Sequence, residues 1–331
     1  MIEKDLIKVT SRGLYCAAGD FYIDPWQPVA RALITHAHGD HLRGGSAAYY
    51  LASAGIGLAR QRLPADASIH PLGYGECVRF GDTQVSLHPA GHILGSSQIR
   101  VERAGEVWVV SGDYKRDSDP TCLPFEVVPC DVFISEATFA LPAYRWTDTP
   151  TVAREILSWW HENRSRGLAS VLFAYALGKA QRVLAELAAF TDDSAYVHGA
   201  VAGLTDVYRE NGIPMLNTLP ATVAGGANYA GALILAPPSA AGSPWVRRFG
   251  DHRTGFCSGW MRVRGDRRRR GYDRGFVLSD HADWPSLLRT CHETGARRIL
   301  LTHGYTDALC RYLREQGVDA ASLRTEYGAE E

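Results

Sequence analysis

The chain has no apolar stretch long enough to cross a bilayer, and its first residues, Met1-Ile2-Glu3-Lys4-Asp5, lack the basic-then-apolar pattern of a secretion signal. The expected compartment is the cytoplasm, with no membrane partner. Net charge is also missing: the formal value is -1 over 331 residues. No global field steers a polyanion here, so a nucleic-acid contact needs a local basic patch. The seven cysteines, Cys16, Cys77, Cys122, Cys130, Cys257, Cys291 and Cys310, form no C-x-x-C pair. An odd, dispersed set argues against a disulfide framework or a zinc finger and predicts reduced, mostly buried thiols. Internal repeats and low-complexity tracts are absent too. What is left, 46% hydrophobic and 21% charged residues, is ordinary globular composition at a length that suggests about two domains.

From residue 6 to about 140 the pattern is strand-like, in short runs punctuated by glycine. Strands are expected at 6–9, 14–16, 21–24, 76–80, 84–88, 97–102, 107–110 and 132–134. Beyond Pro142 the texture changes to alternating helix and strand. A helix over 151–163 starts at Thr149-Pro150-Thr151, followed by a strand at 171–175, a helix at 180–190 and further alternation to 235. Strand then helix, repeated, implies a small parallel sheet. Residues 255–275, rich in arginine and glycine, read as a connection. The earlier style resumes with strands at 275–279 and 298–302, each running into a histidine, and a last helix spans 306–316. An α/β segment inserted into a second domain fits this order.

The chemistry concentrates in Thr35-His36-Ala37-His38-Gly39-Asp40-His41, directly after the apolar Ala32-Leu33-Ile34. Imidazole nitrogen and carboxylate oxygen are preferred zinc ligands. Strand alternation points His36 and His38 the same way, and Gly39 lets Asp40 and His41 reach a second point, so one loop can serve two ions. Four more segments deliver polar groups after strands or glycines: Gly91-His92, Ser111-Gly112-Asp113, Ser279-Asp280-His281 and Thr302-His303-Gly304. Each alone reads as a cap or turn former. Together with the histidine loop they form a metal constellation.

The set Asp24, His36, His38, Asp40, His41, His92 and Asp113 resembles the motif series of the metallo-β-lactamase fold. Glu136, His281 and His303 resemble the three added motifs of its β-CASP nuclease branch. The resemblance implies an α/β class protein: an αββα sandwich (residues 1–145 and 276–331) with a β-CASP domain (146–275) inserted before His281. It implies two zinc ions, with manganese as the alternative metal. One would take His36, His38 and His92, the other Asp40, His41 and His303, with Asp113 bridging and Asp24 orienting a ligand. Two cations about 3.5–4 Å apart activate water and clamp phosphate oxygens. In that scheme His281 is the general acid, with Glu136 fixing its ring. Together with Asp40 these are the expected catalytic residues.

Substrate would be met by Ser96 and Ser97 beside His92, by Lys115 and Arg116 after Asp113, and by Gly178 and Lys179 at a strand-to-helix turn suited to an anion. The one strong basic cluster is Arg262, Arg264, Arg267, Arg268, Arg269, Arg270 and Arg274, with Trp260 and Tyr272 able to stack on bases. The expected partner is nucleic acid, DNA before RNA. Segments such as Ser111-Gly112-Asp113-Tyr114-Lys115-Arg116 and Leu278-Ser279-Asp280-His281-Ala282-Asp283-Trp284 are similar to the bacterial DNA-ligase-associated exonuclease group, which accompanies an ATP-dependent ligase and a helicase. His303 keeps an RNA-processing reading open. A lactamase- or thioesterase-type hydrolase is the rival, although such enzymes need neither the inserted segment nor the Glu136/His281 pair.

Overall fold

The computed structural model describes residues 5–221, 228–263 and 271–326. Arg264, Arg267, Arg268, Arg269 and Arg270 lie outside the described residues. The chain divides into two compact units, Met1–Tyr144 with His281–Glu331, and Arg145–Asp280.

The first unit is built on two sheets. One holds six strands in sequence order: Lys8–Thr10, Gly13–Cys16, Phe21–Ile23, Arg31–Leu33, Ala48–Ala52 and Ile69–Leu72. The other holds seven. Its order is Asp319–Ser322, Arg298–Gly304, Val132–Ala137, Glu106–Val110, Ser97–Arg103, Thr83–Pro89 and Val78–Phe80. Alternation along the strands explains the layering. Trp108, Val110, Ile134 and Leu300 join Leu14, Phe21, Ile23 and Leu33 of the first sheet in one buried cluster between the sheets. Val109, Phe133, Ile299 and Leu301 point the other way, into a cluster with Trp284, Leu287, Leu309 and Leu313 from two helices. Those helices, Trp284–Glu293 and Thr306–Glu315, cover the outer face. The first begins where the Asp283 side chain accepts from the Ser286 amide at 3.0 Å, an N-cap signal with Pro285 just inside it.

The second unit is a six-stranded, all-parallel sheet in the order Thr218–Pro220, Ala195–Val197, Leu233–Ala236, Ala169–Phe173, His252–Cys257 and Arg274–Phe276. Both faces are buried. Leu172, Leu233 and Leu235 pack with Ile156, Trp160 and Leu184 of the helices Thr149–Ser165 and Lys179–Leu187. Val171, Phe173 and Ile234 pack with Val246 and Phe249 on the other side. The expected helix over 151–163 runs from Thr149 to Ser165, capped by Asp148, which accepts from the Thr151 amide at 3.0 Å.

The stretch 255–275 is not the connection its composition predicts. It contains the end of strand His252–Cys257, a helical turn at Gly259–Arg262 and the strand Arg274–Phe276. Glycine is what disguised the strand. At Gly255 an added Cβ would stand 3.0–3.1 Å from Leu172, Phe276 and Trp159, so side chains from three elements fill that space. Because Arg274–Phe276 pairs with His252–Cys257, residues 276–280 stand with the second unit rather than the first. Among the described residues, no helix is long and apolar enough to cross a membrane. All seven cysteines are free.

Candidate metal centre

Five loops at strand ends build the site within the first unit. Asp24 follows the strand Phe21–Ile23 in a left-handed conformation, φ +42°, which aspartate tolerates better than most residues. Its Oδ1 accepts from the Thr35 amide at 2.8 Å and its Oδ2 from the Thr35 hydroxyl at 2.5 Å. Oδ2 also stands 2.7 Å from His41 Nδ1. One carboxylate thus pins both ends of the histidine loop. Gly112 brings the next loop close: at φ +57° an added Cβ would stand 2.6 Å from Thr35 Cβ, so only glycine lets Asp113 enter.

The ring nitrogens turn inward. His36 Nε2 and His92 Nε2 each lie 3.1 Å from His38 Nδ1. Asp113 Oδ2 stands 3.4 Å from His36 Nε2 and 3.8 Å from His92 Nε2. The same oxygen is 3.5 Å from His41 Nε2, which is 3.7 Å from Asp40 Oδ2. Asp113 Oδ1 meets His303 Nε2 at 3.1 Å. The opposite nitrogens are occupied: His36 Nδ1 faces the Thr35 hydroxyl at 3.0 Å and His303 Nδ1 the Thr302 hydroxyl at 3.2 Å. Such contacts fix ring orientation and leave Nε2 for an ion.

These spacings test whether metal fits. A tetrahedral ion with bonds of about 2.0–2.1 Å holds its ligand atoms about 3.3–3.4 Å apart. The separations of 3.1, 3.1, 3.4 and 3.8 Å among His36, His38, His92 and Asp113 lie near that spacing, and the ligand atoms of these four residues all fall within 4.8 Å of one another, a group that could hold a metal ion. The donor set, imidazole and carboxylate, suits zinc or manganese. Charge agrees. Burial pushes His36 well below the usual imidazole range. Burial also opposes charge on His41, yet Asp113, Asp40 and Asp24 together raise it well above that range. Burial likewise opposes ionisation of Asp113, but His41 and the surrounding imidazoles hold its carboxyl well below the usual range.

Beside this cluster stands a second pair. His281 Nδ1 lies 2.8 Å from Glu136 Oε2, and Glu136 Oε1 accepts from the Tyr114 amide at 2.7 Å. A carboxylate only accepts, so Nδ1 carries the proton. The His281 ring is tilted over His92, centroids 4.8 Å apart. All the sequence-predicted ligands, with Asp24, Glu136 and His281, therefore come together.

The expected substrate-binding residues that the structure describes have partners of their own within the chain. Lys115 is buried, 1% exposed, its Nζ 3.8 Å from Asp119 Oδ2. Arg116 pairs with Glu293 at 2.6 Å and lies over the Phe125 ring. Ser96 Oγ accepts from the amides of His92 and Ile93 at 3.1 and 3.2 Å, and Ser97 Oγ donates to Thr35 O at 3.0 Å. These serines shape the loops. Gly178 serves its helix: its amide donates to Gln181 Oε1 at 2.8 Å. Lys179, also 1% exposed, meets Asp280 Oδ2 at 2.7 Å, while Arg182 Nη1 meets Oδ1 at 3.2 Å. Each buried cation is consumed by an internal carboxylate. Sequence reasoning overlooked Thr35, whose hydroxyl touches Asp24 and His36. A hydroxyl directly before the first ligand was the available signal.

Comparison with known proteins adds to this geometry. No family model matches the chain. The chain is similar first to nucleic-acid-processing proteins as a class. Against a probable DNA ligase of Opitutus terrae it is 34% identical over 319 residues, 95% of this chain and 30% of that protein. Against the endoribonuclease ysh1 of Aspergillus fumigatus it is 32% identical over 106 residues, 30% of this chain and 12% of that protein. The chain thus spans under a third of the length of these curated relatives. A crystal structure of a protein of unknown function from Enterococcus faecalis covers 90% of this chain and 80% of its own, at TM-score 0.55 and 12% identity. That last likeness is one of fold.

Proposed function

We propose that the chain is a metal-dependent phosphodiesterase of the metallo-β-lactamase fold. In this reading the unit Arg145–Asp280 is its β-CASP insertion, and the enzyme is a DNA exonuclease working in repair alongside an ATP-dependent ligase. The observation that carries the reading is Asp113, one carboxylate within 3.1–3.8 Å of four imidazoles, His36, His41, His92 and His303. His36, His38 and His92 would hold one zinc ion, and Asp40, His41 and His303 the other, with Asp113 shared. Bound there, the ions supply a nucleophilic water at neutral pH and neutralise phosphate charge.

The residues of this chain do the rest. Asp24 and Thr35 keep the histidine loop in register. His281, backed by Glu136 at 2.8 Å, holds a proton at Nε2 for the leaving oxygen, and the carboxylate offsets the charge of the doubly protonated ring. The long match to the ligase-named relative favours DNA. The shorter match to the ysh1 endoribonuclease favours RNA, which is the second reading.

Pure protein loaded in turn with Zn²⁺ and Mn²⁺, then mixed with end-labelled DNA and RNA, tests this directly. Expected is metal-dependent shortening of DNA from an end, abolished by chelation. Intact DNA and RNA under every metal, with turnover of chromogenic lactam or thioester instead, would replace this reading with the small-molecule hydrolase.

A further inference from the structure

Among the described residues Lys115, Arg116 and Lys179 each face a carboxylate of this chain, which turns attention to the other cations beside the histidine loop. Arg43, next to the histidine loop in sequence, is held by the carbonyls of Trp26 and Glu326 at 3.2 and 3.4 Å. Arg62 differs. It lies just beyond the helix Ile56–Arg60, its amide donating to Ala59 O at 3.1 Å. From there its side chain reaches back onto the metal loop. A Cβ built on Gly39 would stand 2.9 Å from Arg62 Nη1 and 3.8 Å from Cζ. Gly39 sits between two candidate ligands, His38 and Asp40. Among the described residues the guanidinium has neither an ion pair nor a hydrogen bond, and the residue remains open to solvent. Neighbouring atoms partly shield it, lowering its pKa below the usual arginine value, while Asp40 acts in the opposite direction.

A planar fork of donors, uncommitted and aimed along the loop that carries the ligands, matches the oxygens of a phosphate. We propose that Arg62 is the substrate-gripping cation of this site, binding a non-bridging oxygen of the phosphate presented to the ions. Gly39 has a matching role: it leaves open the space the fork needs. This inference rests on the phosphodiesterase reading.

The test compares wild type with Arg62→Ala, Arg62→Lys and Gly39→Ala, the last placing a methyl where the fork lies. Kinetics are measured on an end-labelled oligonucleotide and on bis(p-nitrophenyl) phosphate, with bound metal and melting temperature recorded for each variant. Expected for Arg62→Ala is a fall in kcat/KM of about ten- to hundredfold on both substrates, mainly through KM, with metal content unchanged. Arg62→Lys should recover part of it, and Gly39→Ala should raise KM while Arg62 is still present. An unchanged KM in a folded, metal-replete Arg62→Ala protein would overturn the inference and leave the phosphodiesterase reading intact. If wild type cleaves neither diester, that reading falls, and titration with inorganic phosphate still decides about Arg62. Binding weakened by Arg62→Ala supports the grip, whereas equal binding, or none to wild type, overturns it.

Discussion

The loop after strand Arg31–Leu33 and the turn after strand Ala169–Phe173 begin alike. Each leaves a buried strand, passes a glycine and sets ionisable side chains in the protein interior. At the first, His36, His38 and His41 turn their nitrogens toward other loops, and imidazoles end up facing imidazoles at 3.1 Å. At the second, Lys179 and Arg182 share the carboxylate of Asp280, and the charges close upon themselves. A buried ion pair needs nothing further. A crowd of like donors around one carboxylate is stabilised by an ion that binds the folded state. What separates a binding site from a structural network is therefore whether the counter-charge comes from the chain itself.

Three substitutions would break or sharpen that contrast. The largest effect is expected from His281→Ala, which should slow turnover about 10²- to 10⁴-fold with bound metal unchanged, as elemental analysis beside single-turnover kinetics would record. Loss of metal would move His281 into the ligand group. Next is Lys179→Ala, expected to cost about 3 kcal/mol in urea denaturation. That is the lower end for breaking a buried pair, since Arg182 still faces Asp280. Metal content should not change. A stable variant with impaired substrate binding would instead return Lys179 to the role its sequence context gave it. Smallest is Thr35→Val, which removes the hydroxyl contacts to Asp24 and His36. It should weaken zinc affinity about ten- to hundredfold in a chelator competition, and an unaltered affinity would show that Asp24 holds the loop unaided.

The same contrast explains what could be read in advance. His36 through His41 were legible because ligand chemistry is local: residue type and spacing along a strand and a glycine turn limit what the side chains can reach. Asp113, His281 and His303 were legible as members of a set. Lys115, Arg116 and Lys179 are harder to read, because a cation beside a glycine looks the same whether its partner is a phosphate or a distant carboxylate. Asp119 lies close in sequence to Lys115, but Asp280 is remote from Lys179, and nothing local marks it as the partner. Arg62 gave no signal for the converse reason: its proposed role rests on the lack of a partner among the described residues, which only three dimensions reveal. In the fold, Val132–Ile134 and residues 298–302 were clear as apolar runs. His252–Cys257 was hidden by Gly255, whose missing side chain serves the packing of its neighbours.

The strand that carries His303 lies in the interior of the seven-stranded sheet, between Asp319–Ser322 and Val132–Ala137. On the ribosome, Val132–Ala137 emerges first and waits, one edge unpaired, while the whole of Arg145–Asp280 is translated. A nascent chain halted within that stretch owns the histidine loop and Asp113 but lacks His281 and His303. Premature products thus carry an incomplete side-chain cluster and an open strand edge, a form that invites chaperones and proteolysis.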